Sequence, residues 1–373
     1  LTALNGIGIN AKMLVRDKQT DLHHVIQIKK GPLGMWKFVW ERIVISTNNL
    51  FSKRSLFKVS IANTGYDITK FKEFQEADII HLHWVNQGMI SLKNIQQILD
   101  SGKPVVWTMH DMWECTAICH HAYTCDRYKT ECKNCPFLRF PCGHDLANRV
   151  FQKKKKLLAN NTIHVITVSH WLERLAKESA LLKHCPIDTI PNTLSLSDFQ
   201  MMDKAECRKQ FRLPLDKRII IFGAARVDDP IKGFPMILDA ISYLKAHNQE
   251  FAKDLHLVTF GIFKQAKPHI PIDHTDIGWV KDNATLSMLY SASDALISAS
   301  LYETFGQTLI EAQACGCLPI SFGNSGQTDI IRHKENGYLA EYLSPASLAD
   351  SIITFSSDIS CILYPTGNSS TPS

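Results

Sequence analysis

The sequence predicts an α/β protein made of two Rossmann-like domains, each built on a parallel sheet. Three observations carry this. Runs rich in Ile, Val and Leu end in polar residues, as at 77–84 and 104–111, and helix-period segments separate them; this is the strand–helix–strand pattern whose ligands collect at the carboxyl ends of the strands. The pattern closes at 188–192 and begins again at 217. The chain has 373 residues, 45% hydrophobic and 21% charged, which is enough for two separate cores. The expected division is 1–192 (with an insertion at 112–145), a linker at 193–215, a second domain at 216–356 and a disordered tail at 357–373.

Composition narrows the function classes. The formal charge of +5 is too small to make nucleic acid the main partner, and suits an acidic substrate or an anionic membrane face. No apolar run approaches the roughly 18 residues of a membrane span, and the first residues lack a charged-then-apolar signal pattern. The expectation is a cytoplasmic protein, at most peripheral on the inner face of the plasma membrane. Eleven cysteines without a secretory signal point to reduced thiols, metal binding or burial rather than to a disulfide framework.

In order, residues 1–6 read as a helix tail closing at Gly6, followed by a strand through Ala11 to Val15. Trp36, Val39, Trp40, Ile43 and Val44 keep helical spacing within 35–51. Core packing is the first use read for that face, and contact with a lipid surface or acceptor the second. Residues 77–84 form a buried strand that runs out into His81, His83 and Trp84; a helix spans Ser91 to Gly102, and a second buried strand ends in His110 and Asp111. His110 and Asp111 sit where chemistry collects in such a sheet, and His81 and His83 rank second, for acceptor contact.

The insertion at 112–145 is rich in cysteine. Cys132-Lys-Asn-Cys135 has zinc-knuckle spacing, and Cys119 and Cys125 could complete a tetrahedral thiolate site for a structural zinc; reduced, unliganded cysteines are the alternative. A redox reading of Cys132 and Cys135 is weaker, because no helix signal follows Cys132. The helix from Asp145 carries Lys153-Lys-Lys-Lys156, read first as a solvated basic face and second as a dock for anionic lipid. Residues 163–169 are a strand, and Ser169 opens a helix over 170–183.

After a linker helix at 201–213, Lys217 to Arg226 is a buried strand running out into a loop that holds Arg226 and Lys232, a position suited to a diphosphate. A helix runs to about His247, a strand spans Leu255 to Gly261, and Asp276 to Val280 and Leu286 to Asp294 read as strand and helix. Strands follow at 295–298 and 318–322, a small-residue loop at 323–330, a turn into a short strand at 336–338, and a last helix at 344–356.

The stretch from Ser298 to Ile320 is the most informative. Thr304 is the expected N-cap of its helix, and Gly316 suits a left-handed C-cap. Glu303 precedes the helix and Glu311 lies two turns along. Eight helical residues climb about 12 Å, so the two carboxylates could grip opposite ends of an extended ligand, with a phosphate-favouring helix N-terminus between them. Hydroxyls at both ends and an anion in the middle describe a nucleotide-sugar. The plainer reading is an amphipathic helix with two solvated acids.

Glu303 and Glu311, with Phe305-Gly306 between them and Ala314-Cys315-Gly316 after, resemble the paired-glutamate motif of retaining glycosyltransferases of family 4, whose GT-B fold sets two Rossmann-like domains across a central cleft. Thr108 to Asp111 resembles the family segment whose histidine reaches the transferred sugar, and Pro191-Asn192 its crossover between domains. Lys232-Gly-Phe after Arg226 resembles its basic pair, one residue wider than the commonest spacing. Cys119 to Pro136 is similar to an insertion in a bacterial branch found in polysaccharide gene sets.

The resemblance implies a UDP- or GDP-sugar donor and a glycan or lipid-linked acceptor, with retention of anomeric configuration, in surface-polysaccharide synthesis. It implies Arg226 and Lys232 on the diphosphate, Thr304, Phe305, Gly306, Gln307 and Thr308 around the phosphates, Glu303 on sugar hydroxyls, Glu311 on the ribose, Ile277 and Gly278 at the base, and His110 on the sugar. Asp228 and Asp229 are adjacent rather than spaced as a metal motif, so metal-independent chemistry is expected, with any zinc structural. It further implies a strand, a glycine-rich loop and a helix ahead of Leu1, and a longer final helix, so both ends are expected to be truncated. Two alternatives stand beside it: a sugar-nucleotide epimerase of the same fold, and a non-catalytic nucleotide-sugar-binding protein.

Overall fold

Buried aliphatic strands set the architecture of the chain, whose computed structural model describes residues 1–28, 32–53, 55–159, 161 and 163–362. It divides into two units, Leu1–Ile190 and Pro191–Ser373.

The first unit holds α1 (Thr2–Gly6), the strands β1 (Met13–Val15) and β2 (Val25–Gln27), and helices α2 (Pro32–Asn48) and α3 (Lys72–Glu76). The alternation then reads β3 (Ile80–Leu82), α4 (Leu92–Asp100), β4 (Val105–Met109), α5 (Leu146–Ala159), β5 (His164–Thr167), α6 (His170–Glu178) and β6 (Ile187–Thr189). β3 to β6 form one parallel sheet in sequence order, and β1 and β2 pair in parallel separately. Ser91 and Asn94 cap α4 reciprocally, which fixes its start next to the end of β3. α6 stops five residues short of the expected Lys183: Ser179 takes extended dihedrals and its hydroxyl donates to the Cys115 carbonyl at 2.7 Å.

The aromatic face of α2 is not core, contrary to the first reading. Trp36, Trp40 and Ile43 are 58%, 46% and 40% exposed, while Glu41 and Arg42 are buried. The charged pair is buried because it anchors the helix. Glu41 Oε1 accepts the backbone N–H groups of Ile61 and Ala62 at 2.7 and 2.9 Å, and Arg42 donates to the carbonyls of Leu56 and Val59. Arg42 Nη2 and Glu41 Oε2 lie 2.9 Å apart.

The insertion has one short 3-10 turn, Arg127–Lys129, and packs through Trp113, Cys115 and Ile118, all fully buried. The lysine run on α5 is not a single solvated face. Lys154 turns inward, donating to the carbonyls of Trp113 and Thr116 at 2.5 and 3.0 Å, and burial lowers its amine to about 7 against the opposing pull of Glu114.

The second unit holds α7 (Lys204–Gln210), β7 (Arg218–Arg226), α8 (Phe234–His247), α9 (Gln249–Asp254), β8 (Leu255–Ile262), β9 (His274–Gly278), α10 (Asn283–Ala292), β10 (Ala295–Ser298), α11 (Gln307–Ala314), β11 (Leu318–Phe322), β12 (Tyr338–Ala340) and α12 (Pro345–Ile362). Its sheet is parallel with the order β12-β11-β10-β7-β8-β9, so β7 and β10 are neighbours and their carboxyl-end loops meet. Ile220, Leu257, Ile297 and Ile320 fill the core on one side of the sheet, and Ile219, Ile221 and Val258 on the other. Arg208 anchors α7 there: it donates to Asp294 Oδ2 at 2.7 Å and to the Ala292 carbonyl at 2.9 Å. α12 runs to Ile362, six residues past the expected end, so 357–362 are helix rather than tail; the rest of the expected tail lies outside the described residues.

Candidate active site

The loop after β7 turns at Pro230–Lys232, a 3-10 turn capped by Asp229, whose Oδ1 accepts the Ile231 N–H at 3.1 Å. Gly233 follows with φ +71°, and a Cβ there would lie 1.9 Å from the Ala299 carbonyl oxygen. Only glycine allows both that dihedral and that approach. The Leu301 N–H then donates to the Ile231 carbonyl at 2.8 Å, tying the turn to the loop after β10. The consequence is an ion pair between the two expected site residues: Lys232 Nζ lies 2.9 Å from Glu303 Oε2, both partly exposed. The Glu303 backbone is fixed from both sides, by Ser325 Oγ accepting its N–H at 3.1 Å and by the Gly326 N–H donating to its carbonyl at 2.7 Å.

Arg226 ends β7 but does not join this pair. Its Nε donates to Asp228 Oδ1 at 2.9 Å, and Asp228 Oδ2 accepts the N–H groups of Lys264 and Gln265. Asp228 and Asp229 are both engaged in holding the loop.

α11 begins at Gln307, so Thr304 is not its N-cap. Gly306 is, with φ +107°, a left-handed residue that breaks the helix ahead of it. Thr304, Phe305 and Gly306 form the bend leading in, and Gln307 and Thr308 the first helical residues, whose N–H groups have no acceptor within the helix. The far end is as expected. Gly316 has φ +76°, and the bonds from Cys317 N–H to the Ala312 carbonyl (2.9 Å) and Gly316 N–H to the Gln313 carbonyl (3.1 Å) make a Schellman cap. Glu311, on α11, accepts the Tyr290 hydroxyl at Oε2, 3.2 Å away, from α10. Burial raises its carboxyl to about 7, with the Tyr290 bond opposing. Ile277 and Gly278 close β9, half-buried; the Gly278 N–H is already bonded to Asp276 Oδ1 at 3.3 Å.

In the first unit the expected histidines do cluster. His110, just past β4, has its Nε2 3.0 Å from His83 Nδ1, and His81 Nε2 is 2.8 Å from Thr108 Oγ1. Burial lowers all three imidazoles; His83, which also faces His81 and His110, falls to about 4. Asp111 points the other way, accepting from Trp84 Nε1 (2.9 Å), Trp113 N–H (2.7 Å) and His120 Nδ1 (2.8 Å).

The zinc expectation gains no support. Among the described residues no group of three or more His, Cys, Asp or Glu side chains could hold a metal ion, and Cys119, Cys125, Cys132 and Cys135 are free thiols. Burial raises the Cys119 thiol, and pushes Cys132 up to about 11 and Cys135 to about 12.

Sequence reasoning missed Tyr290, Ser325 and His120. Tyr290 reads as an ordinary apolar helix position and Ser325 as one of several small loop residues; only the pairing of strand-end Asp111 with a nearby histidine offered a signal.

Comparison with known proteins accounts for both units. Residues 16–198 match the family described as Glycosyltransferase Family 4, and residues 203–360 that described as Glycosyl transferases group 1. Among curated proteins, N-acetyl-alpha-D-glucosaminyl L-malate synthase of Bacillus anthracis is 28% identical over 180 residues; the match covers 46% of this chain and 45% of that enzyme, so it spans less than half of the relative. Sucrose-phosphate synthase of Thermosynechococcus elongatus superimposes with a TM-score of 0.61 at 18% identity, over 97% of this chain and 83% of that one. Anabaena HepE, solved with UDP and glucose, gives 0.55 at 15% identity, over 91% and 77%. These two likenesses are of fold, and the fold is GT-B.

Proposed function

We propose, from the premise that the chain belongs to the family 4, group 1 glycosyltransferases, that it moves a sugar from a nucleotide-sugar to a glycan or lipid-linked acceptor with retention of anomeric configuration. The observation that carries this reading is the Lys232–Glu303 pair, 2.9 Å apart in the second unit and immediately ahead of the start of α11. A cation for phosphate, a carboxylate for hydroxyls and a helix N-terminus in one loop cluster at the carboxyl edge of a parallel sheet suit a sugar diphosphate. The UDP held by HepE supports a uridine nucleotide as the first donor to try. Of the two alternatives, neither epimerase nor binding-only protein gains support, since both matched families are transferases.

In this mechanism the bond from the anomeric carbon to the phosphate oxygen breaks as the acceptor oxygen bonds to the same face, and the acceptor proton passes to the departing phosphate. The protein supplies position and charge. Lys232 stabilises the leaving diphosphate with N–H groups from 305–308, and Arg226 joins once an anion competes with Asp228. Glu303 holds the sugar hydroxyls, Glu311 the ribose, the edge at Ile277 and Gly278 the base, and His110 the sugar. No step needs a metal, because fixed cations carry the phosphate charge. A role in surface-polysaccharide synthesis follows from the similarity of 119–136 to the bacterial insertion.

The test is a panel of UDP- and GDP-sugars read by thermal shift and donor hydrolysis, with and without EDTA, and by the anomeric configuration of the product. Stabilisation by one donor, turnover in EDTA and a retained anomer are expected. Unchanged nucleotide-sugar binding in both Lys232→Ala and Glu303→Ala would overturn the site, and a product with an inverted ring carbon would favour the epimerase.

A further inference from the structure

The exposed face of α2 is built for a surface rather than for water. Trp36 and Trp40 stand one turn apart with ring centroids 6.5 Å from each other, and Ile43 continues the stripe. The loop beyond α2 adds Phe51, 74% exposed. Two further exposed aromatics lie near the second half of α2, on its anchored side rather than in the Trp36–Trp40 stripe. Arg42 on α2 holds its guanidinium 5.9 Å from the centre of the Phe57 ring, and the Arg139 N–H, adjacent to Phe140, donates to Asn49 Oδ1 at 3.0 Å.

A cationic stripe lies on α5, which meets α2 at its last residue. Arg149 on α5 donates to Asn48 Oδ1, at the last residue of α2, at 3.0 Å. Lys153 and Lys156 follow at helical spacing on the exposed side of α5, while Lys154 is turned into the core. Aromatic side chains of this amphipathic kind favour the headgroup boundary of a bilayer, and basic residues beside them favour anionic lipid.

We propose that α2 and the outer face of α5 dock the first unit on an anionic lipid bilayer. The Trp36–Trp40–Ile43 stripe and Phe51 enter the headgroup layer, and Arg149, Lys153 and Lys156 lie over lipid phosphates. Charge decides the occupant. A second copy of the chain would add its own cations to this face, whereas anionic headgroups neutralise them. The anchoring contacts of Glu41 and Arg42 hold the helix from behind, so the face is presented without unfolding.

The experiment is co-sedimentation of the full chain with phosphatidylcholine vesicles, with and without about one-third phosphatidylglycerol. Binding should be about tenfold stronger with the anionic lipid and should weaken as salt is raised. Trp36→Ser/Trp40→Ser should lower it about tenfold and Arg149→Glu/Lys153→Glu/Lys156→Glu about 100-fold or more, each leaving the melting temperature unchanged, because these side chains are exposed. Equal sedimentation with neutral and anionic vesicles, retained binding in either variant, or self-association lost in the tryptophan variant would overturn the proposal. Nucleotide-sugar binding is read separately and does not enter this test.

Discussion

Lys232 Nζ and Glu303 Oε2 lie 2.9 Å apart although their residues come from different strand ends, those of β7 and β10. Each holds the other in place before any ligand arrives. Removing either therefore leaves a charge behind. Under the proposed mechanism, Lys232→Ala should lower kcat/KM about 100-fold or more, since that mechanism makes Lys232 the main cation on the leaving phosphate. Arg226→Ala should cost less, about tenfold, because Asp228 already neutralises that guanidinium. Glu303→Gln should keep affinity for free nucleotide and lose the extra affinity that the sugar provides. Steady-state kinetics and titration calorimetry with the nucleotide and its sugar adduct check all three.

Glu311 gives a pH dependence of defined sign. Its folded carboxyl sits at about 7, above the ordinary 4.5, so the folded state holds the proton more tightly than the unfolded one. The stability it contributes is complete below pH 4.5 and is lost as pH rises towards 7. Glu311→Gln should abolish that slope, raising the melting temperature relative to the native chain more at pH 8 than at pH 5. If Glu311 holds the ribose as proposed, nucleotide affinity of the native chain should increase in the same range as its carboxylate forms, and the glutamine variant should lose this increase.

His83 acts with the opposite sign. Burial and its two histidine neighbours bring it to about 4, below the ordinary 6.5, so the unfolded chain binds the proton more readily. Stability is complete above pH 6.5 and falls as the pH drops towards 4. Urea titrations at pH 7.5 and 5 should show a smaller acid loss in His83→Gln than in the native chain.

Gly233→Ala should destabilise the second unit by about 2 kcal/mol or more, from the left-handed dihedral and the collision with the Ala299 carbonyl. The midpoint of urea unfolding should fall with its slope unchanged. Donor binding should weaken too, because the displaced turn carries Lys232.

Much of the fold was legible because parallel strands buried on both faces are written as aliphatic runs, and β4, β5, β7, β10 and β11 all fall within the expected segments. Periodicity failed where it gives a helix but not its orientation. The spacing of Trp36, Trp40 and Ile43 marks a stripe, yet the buried side of α2 is held by Glu41 and Arg42 through contacts 14 to 21 residues away in sequence, which no local pattern encodes. Within the candidate site, Lys232 and Glu303 were singled out from their places beyond strand ends and Glu311 from its place on α11, while the pairing of Lys232 with Glu303 was not foreseen. Tyr290 could not be, because its role depends on α10 packing beside α11. The zinc reading of the cysteines went further than spacing can carry: spacing limits which thiols can meet and does not fix whether their geometry suits a metal.

Lys154 has a consequence for chemistry on the intact chain. With its amine near 7, it is the best nucleophile of the four consecutive lysines at neutral pH, and it is also the one enclosed by Trp113 and the surrounding carbonyls. Acylating reagents should mark Lys153, Lys155 and Lys156 promptly and reach Lys154 only when the insertion lifts from α5. Its rate of labelling, followed by peptide mass spectrometry, is a built-in stopwatch for that opening.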